Sequence, residues 1–93
     1  MSDDVKKRTI GIVLYSGFEV LDVFGPAEMF GVLRELPECR DALEVMMVVE
    51  AAGEIVSSQG TRVVADVSFA DAPELDIVLV PGASGRGVRL RMR

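Results

Sequence analysis

Two short segments of this 93-residue chain carry the residue types that could do chemistry. Asp22 lies a few residues beyond an apolar run, with Glu19 one helical turn before it. Gly82 ends Asp76-Ile-Val-Leu-Val-Pro-Gly82, which reads as a buried strand running into a sharp turn. A carboxyl group can hold or move a proton in a reaction. In an open α/β protein such groups gather just past the carboxyl ends of the strands. The plainer reading of Asp22 is an acid in the first turn of a helix, favoured there by the macrodipole.

Other candidates are weaker. Glu28, two residues after Pro26, reads as dipole support near a helix start. Glu19 reads as a solvated acid. The single cysteine, Cys39, sits in the charged segment Leu36-Pro-Glu-Cys-Arg-Asp41 with no strand before it. Glu38 and Asp41 oppose any activation of its thiol by Arg40, so it is a bystander. It can form neither an intrachain disulfide nor a structural zinc site. Histidine is absent, which excludes Ser-His-Asp and Cys-His catalysis and His-ligated zinc. Gly82, Gly85 and Gly87 match neither a P-loop nor a dinucleotide loop. No cofactor is expected.

The charge balance narrows the partners. Residues 1–85 carry six Lys/Arg against fifteen Asp/Glu, a balance of −9, whereas residues 86–93 carry four Arg and no acid. An acidic body disfavours nucleic acid, which needs clustered Lys and Arg. The polar start Met1-Ser-Asp-Asp-Val-Lys-Lys-Arg8 is not a signal peptide, and no apolar run reaches the length of a membrane span. A soluble cytoplasmic protein is expected. Its length suits one small domain.

The elements that must position Asp22 and Gly82 follow from the hydrophobic pattern. Residues 9–15 form an apolar, β-branched run, read as a strand buried on both faces. Leu21, Phe24, Ala27, Met29, Phe30 and Leu33 recur at helical spacing over residues 19–36. Pro26 either opens a helix starting near Gly25 or sits inside a longer one starting near Glu19, and Leu36-Pro37 ends the segment. Residues 43–50 read as a second strand, giving a βαβ unit with a parallel pair. Ile55–Ser58 and Arg62–Phe69 read as two short strands around Gln59-Gly60, the second with Val63, Ala65, Val67 and Phe69 on one side. Met29, Met46, Met47, Phe18, Phe24 and Phe30 are assigned to the core. One helix cannot cover both faces of a parallel sheet, which fits the front part of a larger domain.

Three stretches together carry a family resemblance. They are Gly11-Ile-Val-Leu-Tyr-Ser-Gly-Phe-Glu-Val-Leu-Asp-Val-Phe-Gly-Pro-Ala-Glu-Met-Phe30, Ser58-Gln-Gly60, and Phe69-Ala-Asp-Ala-Pro-Glu-Leu-Asp-Ile-Val-Leu-Val-Pro-Gly82. They resemble the ThiJ/PfpI family of the class I glutamine-amidotransferase-like superfamily. The subgroup is similar to isonitrile hydratases and to the amidase-like domains of some AraC-type regulators. The resemblance spans about residues 9–82, and the basic segment 83–93 matches nothing expected there.

The resemblance implies an α/β fold, the N-terminal part of a flavodoxin-like three-layer sandwich with a mostly parallel sheet. It implies a nucleophilic Cys on a strand-to-helix elbow beyond residue 93, so the chain reads as an incomplete domain, inactive alone. It implies that Asp22 is the acid near that sulfur. It implies that Pro81-Gly82-Ala83, with Ala83 in place of a second Gly, supplies oxyanion N–H groups. The implied partners are a small-molecule substrate or ligand and, since the family's helix after the first strand lies near a dimer interface, a second copy of the chain. Two rival expectations stand beside this one: the sensing or dimerising portion of an AraC-type transcriptional regulator, and an interaction module that completes itself by pairing.

Overall fold

The computed structural model describes residues 7–82. Ala83 and the basic segment after it therefore lie outside the described residues. The elements run β1 (Arg8–Leu14), α1 (Val20–Leu33), α2 (Pro37–Arg40), β2 (Leu43–Val49), β3 (Glu54–Val56), β4 (Arg62–Val64), β5 (Val67–Ser68), a 3-10 turn (Phe69–Asp71) and β6 (Ile77–Leu79). Four strands form a parallel sheet in the order β5-β2-β1-β6, and β3 and β4 form a separate antiparallel hairpin.

β1 is the hub of the sheet. All seven of its residues pair with β2, from Arg8↔Leu43 to Leu14↔Val49, while Ile10, Gly11 and Ile12 pair with β6. The chain thus builds outward from β1 through β2 to β5, then returns to the other side of β1. Such a reversal opens a crevice at the carboxyl ends of the strands.

Alternation along the strands assigns their faces. Ile12, Leu14 and Val49 form the buried cluster with Phe18 and with Val23 of α1, and Val45, Met47, Leu79, Phe24 and Ala27 pack against it. Ile55 and Val63 bring the hairpin onto the same cluster. On the opposite face Gly11 lies under Leu75: a Cβ at position 11 would come within 2.7 Å of Leu75 Cδ1. Glycine there makes room for that leucine. Among the described residues α1 is the only helix longer than one turn. The face carrying Val13, Met46 and Val78 has no such helix over it.

Several expectations change. α1 starts at Val20 with Glu19 as its N-cap and keeps Pro26 inside. Pro26 falls within the first two turns, so the longer-helix alternative holds. Glu28 is then mid-helix rather than near a start. α1 ends at Leu33, three residues before Leu36, and the segment around Cys39 is a one-turn helix with Pro37 at its start rather than a loop. Met29 is 58% exposed, not core, and Phe69, expected on one side with Val63, Ala65 and Val67, is 48% exposed. The run 62–69 breaks into β4 and β5, because Asp66 leaves the hairpin to bond Met47. Among the described residues β6 is the last strand and lies at an edge, with Ile77, Val78 and Val80 all 41% to 51% exposed.

The two outer strands start from the same device. The Asp66 N–H donates to the Met47 carbonyl at 2.9 Å, and Asp66 Oδ2 accepts the Met47 N–H at 2.8 Å. The Asp76 N–H donates to the Thr9 carbonyl, and Asp76 Oδ2 accepts the Thr9 N–H, both at 2.8 Å. In each case a side chain extends a ladder that the short strand cannot supply. Asp66→Ala and Asp76→Ala should each lower stability by about 1 kcal/mol in urea unfolding. Glu74→Ala, on the exposed approach to β6, should stay within about 0.5 kcal/mol. Equal effects of all three would show that these side-chain bonds carry no stability.

Candidate active site

The site is assembled by the segment between β1 and α1. Tyr15 follows the last residue of β1, and its hydroxyl donates to the Pro81 carbonyl at 2.5 Å. The Glu19 N–H donates to the Gly82 carbonyl at 3.2 Å. Asp22, in the first turn of α1, lays its carboxylate against the bare α-carbon of Gly82. A methyl group at position 82 would sit 3.0 Å from Asp22 Oδ2. Gly82 is not among the residues with positive φ. The close approach of a carboxylate, not an unusual backbone conformation, is what disfavours a side chain there.

The β3–β4 hairpin braces this segment from the other side. The Gly17 N–H donates to the Val56 carbonyl at 2.9 Å, and the Ser58 N–H donates to the Phe18 carbonyl at 2.8 Å. The Ser58 hydroxyl donates to the Gly17 carbonyl at 2.5 Å. Gln59 Nε2 donates to Glu19 Oε1 at 3.0 Å, while its Oε1 accepts the Val20 N–H at a long 3.5 Å. Buried Ser57 shapes the turn, its Oγ accepting the N–H groups of Gln59 and Thr61.

Two clefts meet at Asp22. One, about 330 Å³, is lined by Leu21, Asp22, Pro26, Leu79, Val80, Pro81 and Gly82. The other, about 400 Å³, is lined by Glu19, Val20, Leu21, Asp22 and Gln59. A larger groove of about 590 Å³ runs along α1 past Gly25, Glu28, Met29, Val32 and Leu33. Its lining is apolar apart from Glu28, so size alone does not make it the reactive site. Cys39 is at the other end of the sheet. It precedes Ala42, whose carbonyl accepts the Arg8 N–H at the start of β1. The length of a seven-residue strand, about 20 Å, separates it from Tyr15. Among the described residues no cluster of three or more His, Cys, Asp or Glu is placed to hold a metal ion. No helix among them is long and apolar enough to cross a membrane.

The structure therefore brings Asp22 and Gly82 together, while Ala83 falls outside the described residues. Sequence reasoning passed over Tyr15, Gln59 and the bonding of Glu19. The one available signal for Tyr15 was its place: the chain's single tyrosine, directly after a buried strand. The arrangement offers a carboxyl group for proton transfer beside a backbone turn whose two carbonyls are tied down.

Two predictions follow from these contacts. Gly82→Ala should cost about 1 kcal/mol in an otherwise unchanged chain and less in an Asp22→Ala background, a coupling readable by a double-mutant cycle. Identical costs in both backgrounds would show that Asp22 is not what excludes a side chain. The Tyr15 phenol is pushed above 10.0, by burial first and then by the Asp22 and Glu19 charges. A group that holds its proton more tightly when folded stabilises the fold fully below its unfolded value and loses that contribution as pH rises through its folded value. Stability should thus fall above about pH 10. The phenolate absorbance, free of other tyrosines and of tryptophan, should shift to lower pH in Asp22→Asn. A phenol that titrates identically in both proteins would refute the charge coupling.

Comparison with known proteins gives the family. The chain is 33% identical over 78 residues to the isonitrile hydratase of Pseudomonas putida, covering 84% of this chain and 31% of that protein. It is similar to the crystal structure of a THiJ/PfpI family protein from Pseudomonas syringae, with a TM-score of 0.71 and 24% identity over 88% of this chain and 32% of that one. It is also similar to an AraC family transcriptional regulator from Pseudomonas putida, with a TM-score of 0.72 and 18% identity over 89% of this chain and 51% of that one. The chain thus spans about a third of the length of the first two and about half of the third. The fold shared with these structures is the flavodoxin-like α/β fold, with its mostly parallel sheet. The match to the DJ-1/PfpI family runs over residues 8–93, nearly the whole chain, and with it the chain belongs to that family.

Proposed function

We propose that residues 8–82 form the acid-and-amide half of a cysteine-dependent site acting on a small carbon–nitrogen substrate, with isonitrile hydration as the reaction. The observation that carries this reading is the Asp22 carboxylate packed on Gly82 at the carboxyl ends of β1 and β6. The identity to an isonitrile hydratase supports the substrate class.

Hydration converts R–NC and water into R–NH–CHO. The isonitrile carbon gains a proton and an oxygen, the nitrogen gains a proton, and negative charge develops on the carbon as the nucleophile adds to it. Asp22 would move protons at that step, worth about 10²- to 10⁴-fold in rate. The Gly82 N–H would stabilise the developing charge. The thiol nucleophile must come from outside residues 7–82, because Cys39 is a sheet length away.

A ligand-sensing role, as part of a transcriptional regulator, is the second reading. A cleft lined by Asp22 and Gly82 could hold a ligand without any reaction. The AraC-family neighbour shares only the fold. A helix-turn-helix segment encoded directly downstream would favour this reading, and a Cys elbow with no further domain would favour the enzyme.

The test uses the 93-residue chain as it is. A small alkyl isonitrile or its N-alkylformamide, titrated into labelled protein, should perturb the NMR signals of Leu21, Asp22, Val80 and Gly82 and lose affinity in Asp22→Ala. The chain alone should consume no isonitrile. Perturbations confined to other surfaces would remove the site assignment. Turnover that survives Cys39→Ala and disappears in Asp22→Ala would remove the requirement for an outside thiol.

A further inference from the structure

We propose that Tyr15 is a positioning residue, whose hydroxyl sets the plane of the Pro81–Gly82 peptide and so fixes the direction of the Gly82 N–H. The role of that N–H rests on the functional reading above. The positioning itself rests on geometry.

Proline fixes its own φ and has no N–H through which a neighbour could hold it. Pro81 is buried, but its ψ, and hence the orientation of the next peptide plane, is set by whatever binds its carbonyl. That partner is Tyr15, 66 residues earlier in the chain. The described residues contain no cis peptide bond, so the Pro81 carbonyl and the Gly82 N–H point in opposite directions across one rigid plane. Holding the carbonyl toward Tyr15 turns the N–H to the opposite side. The Gly82 carbonyl is occupied as well, by the Glu19 N–H. Among the described residues no acceptor takes the Gly82 N–H. The turn therefore has both acceptors engaged and, among the described residues, a donor without an acceptor, as a charge-stabilising site requires before the charge arrives. Glycine at position 82 could otherwise rotate without steric penalty.

Tyr15→Phe removes the donor and keeps the ring. Carbon-detected NMR correlates the Pro81 carbonyl carbon directly with the Gly82 nitrogen and needs no amide proton, so it reads this single peptide even at alkaline pH. In Tyr15→Phe that cross-peak should move while those of Gly17–Phe18 and Ser57–Ser58 stay. The affinity for the N-alkylformamide should weaken about tenfold, the loss of one aligned hydrogen bond. In the unmodified chain the same cross-peak should titrate with the midpoint of the Tyr15 phenolate absorbance, because an ionised phenol cannot donate. This second measurement decides the matter if the Phe variant does not fold. A cross-peak that stays fixed through Tyr15 ionisation, or in a folded Tyr15→Phe chain, overturns the proposal. Absence of formamide binding to the unmodified chain beside a Tyr15-dependent cross-peak instead removes the functional reading and leaves the positioning intact.

Discussion

The parallel pairing of β1 with β6 is the constraint on which the rest of the structure depends. It brings Pro81 and Gly82 to the end of the strand that leads into Tyr15, Glu19 and Asp22. Yet it consists of only three residue pairs, Ile10 to Ile12 against Ile77 to Leu79. Long-range parallel pairing closes a large loop before it gains any contact, so a short ladder needs reinforcement. It has side-chain hydrogen bonds at both ends. Asp76 Oδ2 accepts the Thr9 N–H at the start, and the Tyr15 hydroxyl reaches the Pro81 carbonyl at the finish. The apolar contribution comes from one face only: Leu79 joins the buried cluster, while Ile77 and Val78 stay half exposed.

The same economy governs the loop that carries the acids. Residues 15–19 make no ladder of their own, and their backbone groups are satisfied from two directions. The hairpin takes the Gly17 N–H and the carbonyls of Gly17 and Phe18, and the β6 end accepts the Glu19 N–H. Phe18, fully buried, anchors the segment in the core between those bonds. Asp22 is thereby placed by a loop held at several points, not by its own side-chain bonds. Glu19 serves the loop through Gln59 and so leaves Asp22 as the carboxylate that lines both clefts with no partner drawn from the hairpin. The two carboxylates differ in role because their neighbours differ.

Much of this was legible in the sequence, and the gaps have physical causes. β1 and β2 stood out because strands paired on both edges are near-continuously apolar, and both fall within one residue of the expected bounds. Asp22 and Gly82 were singled out through the family resemblance, and the fold places them side by side. β6 misled because an apolar run looks the same whether its strand is covered or lies at an edge with Ile77 and Val78 half exposed. The break at Asp66 was invisible because alternation continues through it in residue type. Only the neighbouring Met47, nineteen positions away in the chain, reveals that Asp66 bonds β2 instead of the hairpin. Tyr15 escaped for the same reason, since its significance lies wholly in a carbonyl 66 residues away.

The free edge of β6 links the sheet to the chemistry. Among the described residues β6 pairs with β1 alone, and its outward valines, Val78 and Val80, are 51% and 41% exposed. A parallel sheet is stable when both faces are covered, and among the described residues one face has a helix and the other has none longer than a turn. Neighbouring strands lie about 5 Å apart. A parallel strand laid on that edge would therefore end beside Pro81 and Gly82, at the cleft that Asp22 and Gly82 line. The acid and the amide can be fixed in advance by β1, α1 and the hairpin, because none of the bonds that hold them involves that edge.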